Sequence, residues 1–360
     1  MEVVLIHEWL TNFAGSEKVV AALRHAFPGS PVLTSLFWSP AFPGWDQVRS
    51  SFLQPLARGP GAHVRALPVL PLALRTLRVP AADLVITSFH TFALYAPVPT
   101  DRPHVVYCHT PPRFLWAGEQ FASRPVVAAA MAAAASVLRP GDRRRGRRPA
   151  VLVANSASTA ARCRAAYGRT TPVVHPPVEV KRFSGALGTP RGEHFVVASR
   201  LVPYKRVDLV VAAFAELAWP LVVAGRGRQL EELRRTAPPN VRFVGHVPDE
   251  ELPRFLAGAR AVILPGEEDF GILPVEAMAA GTPVVAFGRG GARETVTPGL
   301  SGVLFDELTP AALAAAVRRL AAGEWDPAAV SASVKRFGPE RFTAEMTGWA
   351  ETAVAGRSMT

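Results

Sequence analysis

From His194 onward, short β-branched runs alternate with helical patterns along the chain. HFVVAS precedes the amphipathic RVDLVVAAFAEL, PLVVAG precedes RQLEELRRT, VRFVG precedes DEELPRFLAGA, and AVILP and PVVAF flank LPVEAMAAG. Apolar runs that do not alternate with polar residues predict strands covered on both faces, and the helical stretch after each supplies the crossover that parallel strands require. The first half repeats the theme more loosely. Strands are expected at VVLIH, VLTSLF, DLVITS, HVVYC and VLVAN, with helices at SEKVVAALRHA and SASTAARCRAAY. The expected fold is α/β, with two Rossmann-like domains facing a cleft.

The stretch from His175 to Phe195 carries prolines, glycines and charges without helical or strand period, and is expected to be the interdomain linker. The division is therefore 1–178, 179–338 and a terminal segment 339–360, expected to be a helix returning toward the first domain.

Length and composition agree with this division. At ~150 residues per domain, 360 residues make two domains. With 49% hydrophobic and 19% charged residues the chain buries large cores and is not a disordered tail. MEVVLIHEWL carries acidic Glu2 and Glu8 and no basic leader, so it is expected to be a first strand. The apolar run Pro125 to Leu138 falls short of the ~18 residues that span a bilayer, and no transmembrane helix is expected. Cys108 and Cys163 make no disulfide framework and no zinc spacing, which fits a reducing cytoplasm. The net charge of +11 comes from 40 basic residues of which four are lysine: Lys18, Lys181, Lys205 and Lys335. An arginine skew of that size fits a codon bias better than nucleic-acid binding, so each lysine is the more informative residue.

Chemistry concentrates in a few segments. Glu268-Asp-Phe-Gly-Ile-Leu-Pro-Val-Glu276 follows the strand AVILP and opens a helix. Beyond the carboxyl end of a strand, a helix start offers free N–H groups to an anion. There Glu276 can accept both ribose hydroxyls of a nucleotide and Glu268 a sugar hydroxyl; the plainer alternative is that Glu276 is merely a favourable first-turn acid. Arg200 and Lys205 in ASRLVPYKR follow the first strand of the second domain, where two cations can pair with a diphosphate and with the charge that grows on it as it leaves. The alternative is an exposed loop pair. In the first domain, Asn12-Phe-Ala-Gly15-Ser16 lies between a strand and a helix. Gly15 permits close backbone approach and Ser16 is expected to cap the helix. His109 ends a strand before Pro111-Pro112, as a ligand contact at the cleft mouth or as a structural histidine.

Two competing motifs fail. The Asp-Phe-Gly tripeptide lacks the catalytic loop and Gly-rich loop of protein kinases. Gly225-Arg-Gly227 lacks the third glycine and the distal acid of a dinucleotide fingerprint.

Together, LIHEWLTNFAGSEKVV, YCHTPPRFLW, VANSASTAARCRAAYG, SRLVPYKRVDLVVAAF and LPGEEDFGILPVEAMAAGTPVVAFGRGGARETV resemble the family 4 retaining glycosyltransferases of the GT-B fold. Within that family they resemble the mannosyltransferase-like enzymes of surface-polysaccharide and O-antigen assembly. The resemblance implies transfer of a hexose, mannose from GDP-mannose first, to a glycan or lipid-linked acceptor. It makes 1–178 the acceptor domain and 179–338 the nucleotide-sugar domain. It implies that Glu276 holds the ribose, Glu268 the donor sugar, Arg200 and Lys205 the diphosphate, that Gly15 lies under the diphosphate, and that His109 contacts the donor sugar. Backbone N–H groups of Gly271, Ile272 and Leu273 would meet sugar and phosphate. Ala14 replaces a usual glycine and Glu8 a usual aspartate. No DxD motif is present, so no metal and no cofactor is expected beyond the nucleotide-sugar substrate. The expected place is the cytoplasm, at the inner face of the membrane, where the basic His63–Val79 stretch and Arg143–Arg148 would meet anionic lipid. The alternatives are a GT-B sucrose- or trehalose-type synthase or phosphorylase and, from another class, a basic polyanion-binding protein.

Overall fold

Two parallel sheets organise the chain. The computed structural model describes residues 1–116 and 125–356. Among these, the first sheet holds β1 (Val3–His7), β2 (Val32–Thr34), β3 (Val48–Ser50), β4 (Leu84–Phe89), β5 (His104–Cys108) and β6 (Val151–Ala154), in the spatial order β3-β2-β1-β4-β5-β6. The second holds β7 (Phe195–Ala198), β8 (Leu221–Ala224), β9 (Val241–Gly245), β10 (Ala261–Leu264), β11 (Val284–Phe287) and β12 (Gly302–Phe305), in the order β12-β11-β10-β7-β8-β9. Each is the doubly wound Rossmann order. The direction of winding reverses between β1 and β4 in one sheet and between β7 and β10 in the other, and ligands of such sheets bind at that reversal, beyond the carboxyl ends of the strands.

The central strands are buried along their whole length, β1, β4, β10 and β11 among them, as their uninterrupted apolar sequences require. The two strands that the apolar pattern misses, β3 and β12, are sheet edges. A strand paired on one side only needs less apolar cover, and Val48–Ser50 shows it with three partly or fully exposed residues.

One compact unit comprises residues 1–177 together with the terminal helix Pro339–Ala355; residues 178–338 form the other. Phe342, Met346 and Ala350, four residues apart on one helix face, are fully buried. They join Val3, Leu5, Leu84, Ile86 and Tyr107 in one core, and the Phe342 and Tyr107 rings meet edge to face at 5.5 Å. At ~1.5–3 kcal/mol for each large buried side chain, Phe342 and Met346 fix this helix firmly to the first sheet. Residues 357–360 of the expected terminal segment lie outside the described residues.

The expected linker is in large part core. Val178, Val180, Phe183 and Ala186 are buried with the second sheet, Val180–Ser184 is a short helix, and the Val178 N–H donates to the Phe337 carbonyl at 2.9 Å. Five helical residues are too few to show a period in sequence, which is why the segment reads as irregular.

Candidate functional site

In the second unit the expected residues gather at the reversal between β7 and β10. Arg200 follows β7, and Lys205 closes the short turn Pro203–Lys205. Glu268 follows β10, and its neighbour Gly271, at φ 85°, caps the helix Ile272–Ala279. Lys205 Nζ and Glu268 Oε1 form an ion pair with side chains 18% and 24% exposed, so a cation and an acid far apart in sequence share one spot. The Arg200 guanidinium donates to the Tyr204 hydroxyl and is exposed. Glu276 is buried at 4% exposure and is the fifth residue of the helix that Gly271 opens, past the first turn, so it is not the first-turn acid of the plainer alternative. The first-turn N–H groups of that helix, from Ile272 and Leu273 onward, have no acceptor within the helix. A cation, a carboxylate and a helix start together suit a ligand that bears both phosphate and hydroxyl groups.

Glycines tighten this site in a way that the sequence reading does not identify. Gly290, at φ 63°, lies so close to Glu268 that a Cβ would stand 2.1 Å from the Glu268 carbonyl oxygen, and the Gly291 N–H donates to that oxygen at 2.9 Å. Gly290 and Gly291 in FGRGGAR thus clamp the backbone of Glu268. Gly225 packs on the β7 end in the same manner, its Cβ position 1.8 Å from the Ser199 carbonyl oxygen, so the Gly225-Arg-Gly227 pair serves the approach of two loops.

In the first unit, histidines end three neighbouring strands. His7 ends β1, His90 follows β4 and His109 follows β5, with ring centroids 5.8 Å apart for His7 and His90 and 6.0 Å for His90 and His109. Ser88 Oγ sits between two of them, 3.1 Å from His7 Nδ1 and 2.8 Å from His109 Nε2. Burial, then His90 and His7, hold His109 well below the ordinary imidazole range, so its ring is neutral at pH 7. Burial works to raise Glu17, but its contacts with His7 prevail and keep the carboxyl below its ordinary range.

Gly15 is the first residue of the helix Gly15–Ala26. Ser16 does not cap it. Its hydroxyl donates to Glu17 Oε2 at 2.9 Å, and the same oxygen accepts from the Ala14 N–H at 3.2 Å, because Glu17 reaches back over the helix start while Ser16 already lies inside it. Glu8 is fully buried and its carboxylate accepts from the N–H groups of His90, Thr91 and Phe92 at 2.7–3.0 Å, which shapes the turn after β4. His7, Glu17, Ser88 and His90 are the residues that sequence reasoning missed; the recurrence of histidine at successive strand ends is the signal that marks His7 and His90.

The YCHTPPRFLW segment docks on the helix Pro125–Arg147. Trp116 Nε1 donates to Asp142 Oδ2 at 2.7 Å, and Arg139 Nε donates to the Leu115 carbonyl at 2.7 Å. Burial pushes Asp142 up to about 6 despite the Trp116 bond. The arginine run is partly committed inside the fold. Arg143 and Arg147 donate to the carbonyls of Ala166 and Tyr167 at 2.8 and 2.7 Å, satisfying the last turn of the helix Ala157–Tyr167, and Arg145 lies 3.9 Å from the Tyr95 ring centroid.

Residues 183–336 match the family described as glycosyl transferases group 1. The chain is 34% identical over 183 residues to the D-inositol 3-phosphate glycosyltransferase of Nocardioides sp., covering 41% of this chain and 40% of that protein. It is 34% identical over 216 residues to a GDP-mannose-dependent alpha-(1-6)-phosphatidylinositol monomannoside mannosyltransferase of Mycolicibacterium smegmatis, covering 52% of this chain and 56% of that one. The chain thus spans about half the length of these relatives. Its fold is that of solved GT-B structures: the sucrose-phosphate synthase of Thermosynechococcus elongatus superposes over 99% of this chain and 100% of that one with a TM-score of 0.76 at 18% identity. Among the described residues, no helix is long and apolar enough to cross a membrane.

Proposed function

We propose that this chain, matched over residues 183–336 to the group 1 glycosyl transferases, is a retaining glycosyltransferase that moves a hexose from a nucleotide sugar to a glycan or lipid-linked acceptor. The Lys205–Glu268 pair at the β7/β10 reversal, beside the helix that carries Glu276, is the observation that supports this reading most. In this reading Arg200 and Lys205 take the diphosphate and offset the charge it gains as a leaving group, while the helix start at Ile272 and Leu273 adds its dipole. Glu276 takes the ribose and Glu268 a sugar hydroxyl, and by the family resemblance His109 contacts the donor sugar and Gly15 serves the diphosphate. No protein nucleophile is assigned.

GDP-mannose is the first choice of donor, and the GDP-mannose-dependent relative of M. smegmatis favours it. Acceptors bearing inositol come first for test among lipid-linked and glycan acceptors, again from the relatives' names. Work at the cytoplasmic face of a membrane is part of the same reading. Val64 and Leu72 are more than half exposed beside exposed Arg65, Arg75 and Arg78, a surface that suits anionic lipid.

The deciding experiment is a panel of nucleotide sugars scored by thermal stabilisation and by slow hydrolysis. A ligand at 100 times its Kd adds about 2.7 kcal/mol to stability. One nucleotide sugar is expected to stabilise the protein and to be hydrolysed; a panel without stabilisation or turnover overturns the reading.

A further inference from the structure

We infer that Ser88, His7 and Glu17 are positioning residues that fix the ring tautomer of His109, leaving its Nδ1 as a hydrogen-bond acceptor for a hydroxyl of the transferred sugar. The inference rests on the proposed reading that His109 meets the donor sugar.

The row follows from the sheet. β1, β4 and β5 are neighbours and parallel, with His7 in register with Ser88 and Ser88 with Tyr107. Residues in register point to one face of a parallel sheet, and His109, two positions beyond Tyr107, points there too. That face carries the helix Gly15–Ala26, whose Glu17 is 2% exposed. Glu17 Oε1 stands 3.6 Å from His7 Nε2, His7 Nδ1 3.1 Å from Ser88 Oγ, and Ser88 Oγ 2.8 Å from His109 Nε2. The other Glu17 oxygen holds the Ala14 N–H and the Ser16 hydroxyl, so the row starts at the turn that bears Gly15 and ends at His109.

Hydrogen accounting gives the row a direction. An ionised carboxylate only accepts, and a neutral imidazole carries one ring proton. As part of this inference we take His7 to carry a single ring proton; with Glu17 Oε1 3.6 Å from Nε2, that proton belongs on Nε2, which leaves His7 Nδ1 bare. The Ser88 hydroxyl has one hydrogen and must give it to that nitrogen. Its oxygen can then only accept from His109, whose proton therefore sits on Nε2. Because His109 is neutral, Nδ1 is left with its lone pair. A sugar hydroxyl can donate to that atom, whereas the opposite tautomer would present a second donor. Fixing the tautomer in advance removes a reorganisation from the transfer step, a gain that appears in kcat more than in nucleotide affinity.

Histidine-selective 15N labelling and long-range 1H–15N NMR, recorded on the full chain without donor, read the tautomer of His109 directly. The wild-type protein is expected to show the proton on Nε2. Ser88→Ala is expected to give a mixture, with kcat for transfer at least tenfold lower and KM for the nucleotide sugar within about threefold; Ser88→Thr, which restores the hydroxyl, is expected to recover both. Glu17→Gln, a near-isosteric change that serves if Ser88→Ala fails to fold, is also expected to mix the tautomers. An Nδ1-protonated His109 in the wild type, or a tautomer unchanged in Ser88→Ala and Glu17→Gln, overturns the inference. If the tautomers behave as expected while no nucleotide sugar is turned over, the row stands and the transferase reading fails.

Discussion

Lys205 and Glu268 lie 63 positions apart in sequence and form an ion pair at the carboxyl ends of two adjacent strands. Neither side chain is fully exposed, and both stand where a doubly wound sheet binds its ligands. The pair orders both groups before any ligand arrives, and a phosphate-bearing ligand has to compete with Glu268 for Lys205. The contact belongs to function more than to stability.

Replacing either partner therefore separates the two. Glu268→Ala is expected to change unfolding free energy by less than about 1 kcal/mol, as for other partly solvated pairs. Lys205→Ala is expected to lower kcat by at least tenfold, since ~1.4 kcal/mol of transition-state stabilisation corresponds to that factor. Chemical denaturation and steady-state kinetics measure both. A loss confined to KM would mean that Lys205 binds ground state and transition state alike, against its role toward the leaving group.

Glu276→Ala is expected to weaken nucleotide-sugar binding at least tenfold, because two hydrogen bonds to a carboxylate are worth ~1.5–3 kcal/mol each. Isothermal titration with the stabilising nucleotide sugar provides the comparison. Unchanged affinity would return Glu276 to a purely structural place in its helix.

Asp142 supplies a pH dependence. Burial raises its folded-state value from the ordinary 3.8 to about 6, so the folded protein binds the proton more tightly than the unfolded chain. The favourable contribution is complete below about pH 4 and is lost as pH rises through about 6; the displacement corresponds to about 3 kcal/mol. Asp142→Asn keeps an acceptor for Trp116 Nε1 and removes the charge. It is expected to be more stable than the wild type at pH 7.5, with the advantage shrinking toward pH 4.5. Urea unfolding at the two pH values tests this, and an advantage that does not depend on pH contradicts it.

The surface reading predicts vesicle binding that rises with anionic lipid and falls with salt. Arg144 and Arg148 are exposed, whereas substituting Arg143 would also uncap the helix Ala157–Tyr167. Arg144→Ser with Arg148→Ser is expected to weaken binding by roughly 30-fold at low salt, at about 1 kcal/mol for each arginine near the surface. Cosedimentation that is equal on neutral vesicles, or absent at low salt, ends the surface reading.

The sequence by itself determined the repeated strand-and-helix order, because buried parallel strands have to be apolar without alternation, as VVLIH and AVILP are. It also placed Arg200, Lys205 and Glu268 beyond strand ends and Glu276 in the helix that follows, since local pattern sets where an element stops. Edge strands β3 and β12 escaped it; in β3 three partly or fully exposed residues leave almost no apolar run to read. Only the tertiary structure decided which strand ends are neighbours. The reversal of winding sets β7 beside β10 and β1 beside β4, and this makes an ion pair of Lys205 and Glu268 and a hydrogen-bonded row of His7, Ser88 and His109. Hydrogen bonds and ion pairs act over a few ångströms, while sequence fixes only separation along the chain, so such contacts become legible once the sheet order is known.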